Sequence, residues 1–142
     1  MAHRVELRIS SDPRWLRMAR RLVEEFSRQA GFDEHGRQEI IIGVDEALSN
    51  VMRHAYRGET SGPISLICEA EDGRLEVVLK DQGQAFAPGS ASLDLPDPAR
   101  LSGRGSFLIH STMDEVEYRR AGEDNLMRLR KYLKEPAGKS HG

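Results

Sequence analysis

Two runs of alternating apolar residues, Ile64, Leu66, Cys68, Ala70 and then Leu75, Val77, Leu79, flank a single Asp72-Gly73 pair. Period-two alternation marks a strand with one buried face, and Asp-Gly between two such runs is a strong hairpin signal because the favoured tight turn needs positive φ at both central residues. The chain is thereby committed to an antiparallel ribbon whose apolar face needs a cover. The cover is also legible. Leu16, Ala19, Leu22, Val23, Phe26 and Ala30 recur at helical spacing, after the N-cap and first-turn proline of Ser11-Asp12-Pro13 and before a stop at Gly31. A second helical stripe, Ile40, Val44, Ala47, Leu48, Val51 and Ala55, runs to about Gly58, and Val5, Leu7 and Ile9 alternate as a short strand ahead of both helices.

Past the hairpin the pattern changes. From Gln82 to Gly103 the chain is rich in Gly, Pro, Ala, Ser and Asp without periodicity, and about 20 structureless residues inside a compact domain usually form a functional loop. Ser106 to Met113 reads as a short apolar helix, Val116 and Tyr118 open another strand, and a turn near Gly122 leads to a last strand over Asn125 to Leu133, with a loose tail from Glu135 to Gly142. The 142 residues suit one domain with a real core. With 21 basic and 23 acidic residues the formal charge is −2, so no global field draws the chain toward nucleic acid or anionic lipid, and neither is expected as a partner. Cys68 falls on the apolar phase of its strand and reads as a packed thiol. The stretch Met1-Ala2-His3-Arg4-Val5-Glu6 lacks the apolar run of a signal peptide and no segment has the length to span a bilayer, so a cytoplasmic protein is expected.

Three clusters carry chemistry. Glu46, Asn50 and His54 step by four along the second helix, which stacks them on one stripe beside the apolar face. Magnesium needs only one or two protein oxygens when phosphates and water supply the rest, so Asn50 is a candidate ligand and Glu46 a candidate proton acceptor. A solvated helix face explains the same stripe. Asp81 continues the inward phase of Leu75, Val77 and Leu79, where a carboxylate is costly unless something donates to it. An exocyclic adenine amine is such a donor, with Gly83 allowing close approach of the base; a turn-forming Asp at a strand end is the alternative. Gly103-Arg104-Gly105 places two glycines where a loop enters a helix, so that unpaired amides face a phosphate and Arg104 adds a countercharge. A glycine turn before a helix is common for structural reasons as well.

In this order and spacing the clusters resemble the GHKL ATPase superfamily, which includes gyrase B, Hsp90, histidine kinases and MutL. Glu46 to Asn50 resembles its N box, Asp81-Gln82-Gly83 its first glycine box, and Gly103-Arg104-Gly105 its second. The compact size, the run Asp81 to Pro88, and Gly103 to Tyr118 with Met113-Asp114-Glu115-Val116 look most like stand-alone anti-sigma-factor serine kinases of RsbW type, over roughly residues 5 to 133. The resemblance implies a Bergerat fold: an α/β two-layer sandwich, with a mixed, mostly antiparallel sheet and helices on one face. It implies ATP and Mg2+ as cofactors, Glu46 as general base, Asn50 as magnesium ligand, Asp81 as adenine reader, and Gly103 and Gly105 as the phosphate loop. The remaining binding positions on this pattern are Gly83, Ala85, Arg100, Arg104, Ser106 and Phe107, with Phe86 to Ser102 as an ATP lid. Ala85 stands where many members have Gly, and Leu101 where some carry an arginine near the phosphates, a task left to Arg100 or Arg104.

The resemblance implies a serine/threonine kinase acting on a STAS-domain anti-anti-sigma partner, binding a sigma factor, and dimerising through its first strand and helix. For Trp15 and Met18, packing inside one chain is the competing explanation. Three other readings predict different behaviour. A nucleotide-dependent binding module binds ATP without transferring phosphate. An isolated histidine-kinase catalytic domain lacks here the helical hairpin that presents a phosphorylatable His. A plain α/β domain shows no thermal shift with Mg-ATP.

Overall fold

The computed structural model describes residues 2–85 and 101–134, the first six residues of the second span by backbone alone. The expected tail, and the part of the expected lid at 86–100, lie outside the described residues.

Five strands form one sheet: β1 (His3–Ser10), β2 (Pro63–Glu71), β3 (Arg74–Asp81), β4 (Glu115–Ala121) and β5 (Asp124–Tyr132), in the order β1-β2-β3-β5-β4. The Asp72-Gly73 hairpin forms as its residues dictate, with φ of 51° and 74° at the two positions. Its register sets Leu66 opposite Leu79 and Cys68 opposite Val77, so the apolar phases of both strands share a face. β5 then pairs with β3, placing Leu129 opposite Val77 and Asn125 opposite Asp81. Every ladder between described strands is antiparallel, with no parallel pair of the kind a mixed sheet would contain.

Three helices cover the apolar face: α1 (Leu16–Gln29), α2 (Glu34–Asn50) and α3 (Leu101–Thr112). α1 follows a 3-10 turn, Pro13–Trp15, in which the Asp12 carboxylate caps the Arg14 amide. At α2 the Asp33 carboxylate accepts from the Gly36 amide at 2.8 Å, satisfying an orphan N–H of the first turn. Ala19, Val23, Ile40, Val44, Ala47, Leu48 and Ile109 meet Ile64, Leu66, Cys68, Leu75, Val77, Leu79 and Leu129 in one core. Each large aliphatic side chain buried there contributes on the order of 1.5–3 kcal/mol. Cys68 is fully buried, which pushes its thiol up to about 12.

Two expectations are corrected. Helix α3 is described from Leu101, so Gly103 and Gly105 are helical and not in a loop ahead of a helix at Ser106. Leu101 and Ser102, assigned to the lid, are helical as well. Further, α2 passes at Asn50 into a π-helical turn, Val51–Ala55, so the regular α-helical spacing by four does not continue from Asn50 to His54. Asn50 is buried and His54 exposed.

Candidate functional site

The C-terminal part of α2 presents two oxygens to one positive charge. Arg53 donates from Nη2 to Asn50 Oδ1 at 3.0 Å and lies 3.8 Å from Glu46 Oε2. Asn50 is 4% exposed while the Arg53 side chain is 51% exposed, so the amide is fixed and the guanidinium is free to swing out. A carboxylate and a carboxamide oxygen already gathered on a cation form a donor set of the hard-oxygen kind magnesium takes, and the residues fit that ion. His54, beside Arg53 and exposed as a residue, is held below the usual imidazole range by partial desolvation of its ring and then by the Arg53 charge.

The end of β3 packs against the same segment. A β-carbon at Gly83 would lie 2.5 Å from the Ala55 carbonyl oxygen and 2.8 Å from its Cβ, so only glycine lets the turn close on the π-helical segment. Two hydrogen bonds fasten the contact: the Gln84 amide donates to the Ala55 carbonyl at 2.7 Å, and the Gln82 amide to the Tyr56 hydroxyl at 2.7 Å. Tyr56 in turn donates to the Pro63 carbonyl at 2.6 Å. Burial holds its phenol above the ordinary value, against the hydrogen bond from Gln82. Beside this junction lies a cleft of about 640 Å³ lined by Ala55, Tyr56, Arg57, Glu59, Ser61, Gly62 and Gln84. Arg57 spans it to Gln84 Oε1 at 2.6 Å.

Asp81, 5% exposed, ends β3 two residues before the Gly83 contact. Its Oδ1 accepts from the Gly83 amide at 2.9 Å and from Asn125 Nδ2 at 2.8 Å, and among the described residues no bond falls on Oδ2. Burial raises its pKa, and the bonds from Asn125 and Gly83 pull it back only in part. Sequence reasoning missed Asn125. That residue is 2% exposed, donates also to the Gly83 carbonyl at 3.0 Å, and accepts on Oδ1 from Tyr118 at 3.1 Å and Arg120 at 2.8 Å. Among the described residues the carboxylate is held on one side only.

The structure thus brings the Asp81 turn against the element that follows Asn50, with Gly83 at the contact and the half-buried Ala85 just beyond. The backbones of Gly103, Arg104, Gly105 and Ser106 lie in the first turns described for α3, which packs along α2; the first four amides of a helix lack partners within it, and Gly105 and Ser106 are the fifth and sixth residues from Leu101. Phe107 is 55% exposed. Arg100 lies outside the described residues.

A two-layer sandwich with an antiparallel sheet, one helical face and a buried strand-end carboxylate beside the turn that continues the second helix defines a class. Residues 9–131 match the histidine kinase-like ATPase domain, and the chain belongs to that family. Among curated relatives, serine-protein kinase RsbW of Listeria innocua is 27% identical, covering 82% of this chain and 80% of that protein. Serine-protein kinase RsbW of Staphylococcus epidermidis is 29% identical, over 97% of this chain and 92% of that one. The solved structure of the RsbU and RsbW domains of Rv1364c from Mycobacterium tuberculosis superposes with a TM-score of 0.70 at 18% identity, over 95% of this chain; the chain spans about a third (34%) of that polypeptide. The histidine kinase domain of the Erythrobacter litoralis EL346 blue-light activated kinase gives a TM-score of 0.59 at 16% identity, over 84% of this chain and 60% of that one. These two likenesses concern the fold. Among the described residues no helix is long and apolar enough to cross a membrane.

Proposed function

We propose that the chain is an ATP-dependent serine/threonine kinase that phosphorylates a STAS-domain anti-anti-sigma protein and, when that partner is modified, holds a sigma factor inactive. The observation that carries the nucleotide part is Asp81: a buried carboxylate whose bonds from described residues both fall on Oδ1, at a turn pressed against the π-helical segment that follows Asn50. The kinase and its partners rest on the relatives named serine-protein kinase RsbW.

In this reading Asp81 Oδ2 accepts from the exocyclic amine of adenine, and Gly83 and Ala85 line the base. Asn50 Oδ1, the acceptor of the Arg53 hydrogen bond, would hold magnesium in place of that guanidinium. Magnesium, when bound, offsets the negative charge between the phosphates. Glu46 takes the proton of the attacking hydroxyl as its oxygen bonds to the γ-phosphorus and the bond to the ADP oxygen breaks. The Gly103 amide near the start of α3, with Arg100, Arg104, Gly105, Ser106 and Phe107 around it, receives the phosphates. The proposed assembly is a cytoplasmic homodimer through β1 and α1, where Val5 is 39% and Met18 51% exposed.

The test is transfer of radiolabel from ATP to purified candidate STAS proteins. Glu46→Gln should lower turnover by roughly 10² to 10⁴ while leaving ATP binding intact. Equal phosphorylation by that variant removes Glu46 as the base, and ATP binding without transfer to any partner replaces the kinase with a nucleotide-dependent binding module.

A further inference from the structure

The far end of α3 is fastened to β5 by three consecutive residues. The Asp114 amide donates to the Arg130 carbonyl at 2.9 Å, Lys131 Nζ to the Thr112 carbonyl at 2.5 Å, and the Tyr132 amide to Asp114 Oδ2 at 2.8 Å. The middle bond is unusual in its setting. Lys131 is 6% exposed on the helix-covered face, and its Nζ also lies 2.9 Å from Glu39 Oε1 on α2. A single cation therefore ties the last carbonyl of α3, the negative end of that helix, to α2 and the sheet at once.

Directly above, one helical turn from Glu39, Gly43 removes the side chain that would keep the helices apart. A β-carbon there would stand 2.8 Å from Thr112 Oγ1 and 2.9 Å from Met113 Cγ. Glu39, Glu46 and Asn50 are spaced by seven and eleven residues, which returns each to within roughly 40° of one stripe of α2. The fastening and the candidate catalytic groups thus share one rail. From it α3 extends 12 residues, about 18 Å, to the end that carries Gly103 and Arg104.

We propose that Lys131 is a positioning residue for nucleotide phosphates: by pinning the C-terminal end of α3 to Glu39 beside Gly43, it fixes where the amides at the other end stand relative to Glu46 and Asn50. This inference rests on the nucleotide reading above. Losing the pin lets α3 slide or tilt on α2, and a rod that pivots at one end moves most at the other. Contacts to phosphate are then lost while contacts to adenine, which depend on Asp81 and β3, stay.

The experiment measures the affinities of adenosine and of Mg-ATP for the full chain, and takes their ratio. Lys131→Met, which keeps an unbranched stem and removes the charge, should cut the preference for Mg-ATP by about tenfold or more with adenosine affinity within about twofold. Lys131→Arg, which keeps the charge, should restore most of it. Gly43→Ala, which forces the helices apart without touching the cation, should reproduce the loss. A folded Lys131→Met that keeps the wild-type ratio overturns the inference alone. Should that variant fail to fold, the ratio in Gly43→Ala decides by the same criterion. A wild-type chain that binds neither ligand overturns the nucleotide reading and this inference with it.

Discussion

Truncating Asn125 to alanine isolates the group on which Asp81 depends. The substitution removes the 2.8 Å bond to Asp81 Oδ1 and the 3.0 Å bond to the Gly83 carbonyl, and deprives Tyr118 and Arg120 of an acceptor. A hydrogen bond to a charged group is worth about 2 kcal/mol net, and a neutral one about 1 kcal/mol. The half-buried Tyr118 and the exposed Arg120 find water instead and add little. The expected loss is about 3 kcal/mol, which for a domain of this size lowers Tm by about 10 °C. Urea unfolding followed by circular dichroism measures it. A second consequence separates the site from mere packing: Asn125 is the larger of the two bonds that lower the Asp81 pKa, so its removal leaves burial less opposed and raises that pKa further. The pH at which Mg-ATP affinity is half lost should move upward in Asn125→Ala. A loss below about 0.5 kcal/mol, or an unmoved midpoint in a variant that is destabilised, refutes the assignment of Asn125 as the support of a ligand-reading carboxylate.

For the wild-type chain, Mg-ATP affinity should fall on acidification at a pH above the ordinary aspartate value of 3.8, because a proton on Asp81 Oδ2 would set a donor against the amine it is proposed to accept from. Stability should run the opposite way. A carboxyl whose folded pKa is raised binds its proton more tightly in the native state, so its contribution is complete below 3.8 and is lost as pH rises through the folded value. Asp81→Asn should abolish both trends, and parallel pH profiles for that variant and the wild type would remove Asp81 from the site. Gly83→Ala should cost roughly 1–3 kcal/mol of stability and weaken Mg-ATP about tenfold, since the new methyl meets a backbone carbonyl that cannot turn aside. An alanine variant with wild-type affinity would show that the close contact with Ala55 is dispensable.

What could be read in the chain followed from local pattern. The hairpin, the two long helices and the inward phase of Asp81 each rest on spacing within one segment, and spacing is what side-chain periodicity reports. The start of α3 escaped because its first turns are Leu101-Ser102-Gly103-Arg104-Gly105, and glycine lowers helix propensity by about 1 kcal/mol each. Tertiary contact along α2 overrides that deficit. The π-helical turn escaped for a related reason: Val51 and Ala55 fit an α stripe on paper, and only the approach of Gly83 to Ala55 shows where the winding changes. Asn125 and Lys131 were invisible as site residues because their partners lie far away in sequence, at Asp81 on β3, at Thr112 on α3 and at Glu39 on α2. Strand order decides such meetings, and nothing in either residue's neighbourhood announces it.

In the single chain the first strand forms the outer margin of the sheet, its eight residues paired among the described residues on the β2 side only. Such a margin is a template on which a foreign strand can grow. Here the guard is ionic: Arg4, Glu6, Arg8 and Glu69 pair across the exposed surface at 3.0 to 3.6 Å, so an intruding backbone would have to strip water from alternating charges. Protection of that sort is only as strong as the field that sustains it. In concentrated electrolyte, where attraction between exposed charges dies away within about 3 Å, the same margin becomes the place from which fibrous aggregates of this chain would nucleate.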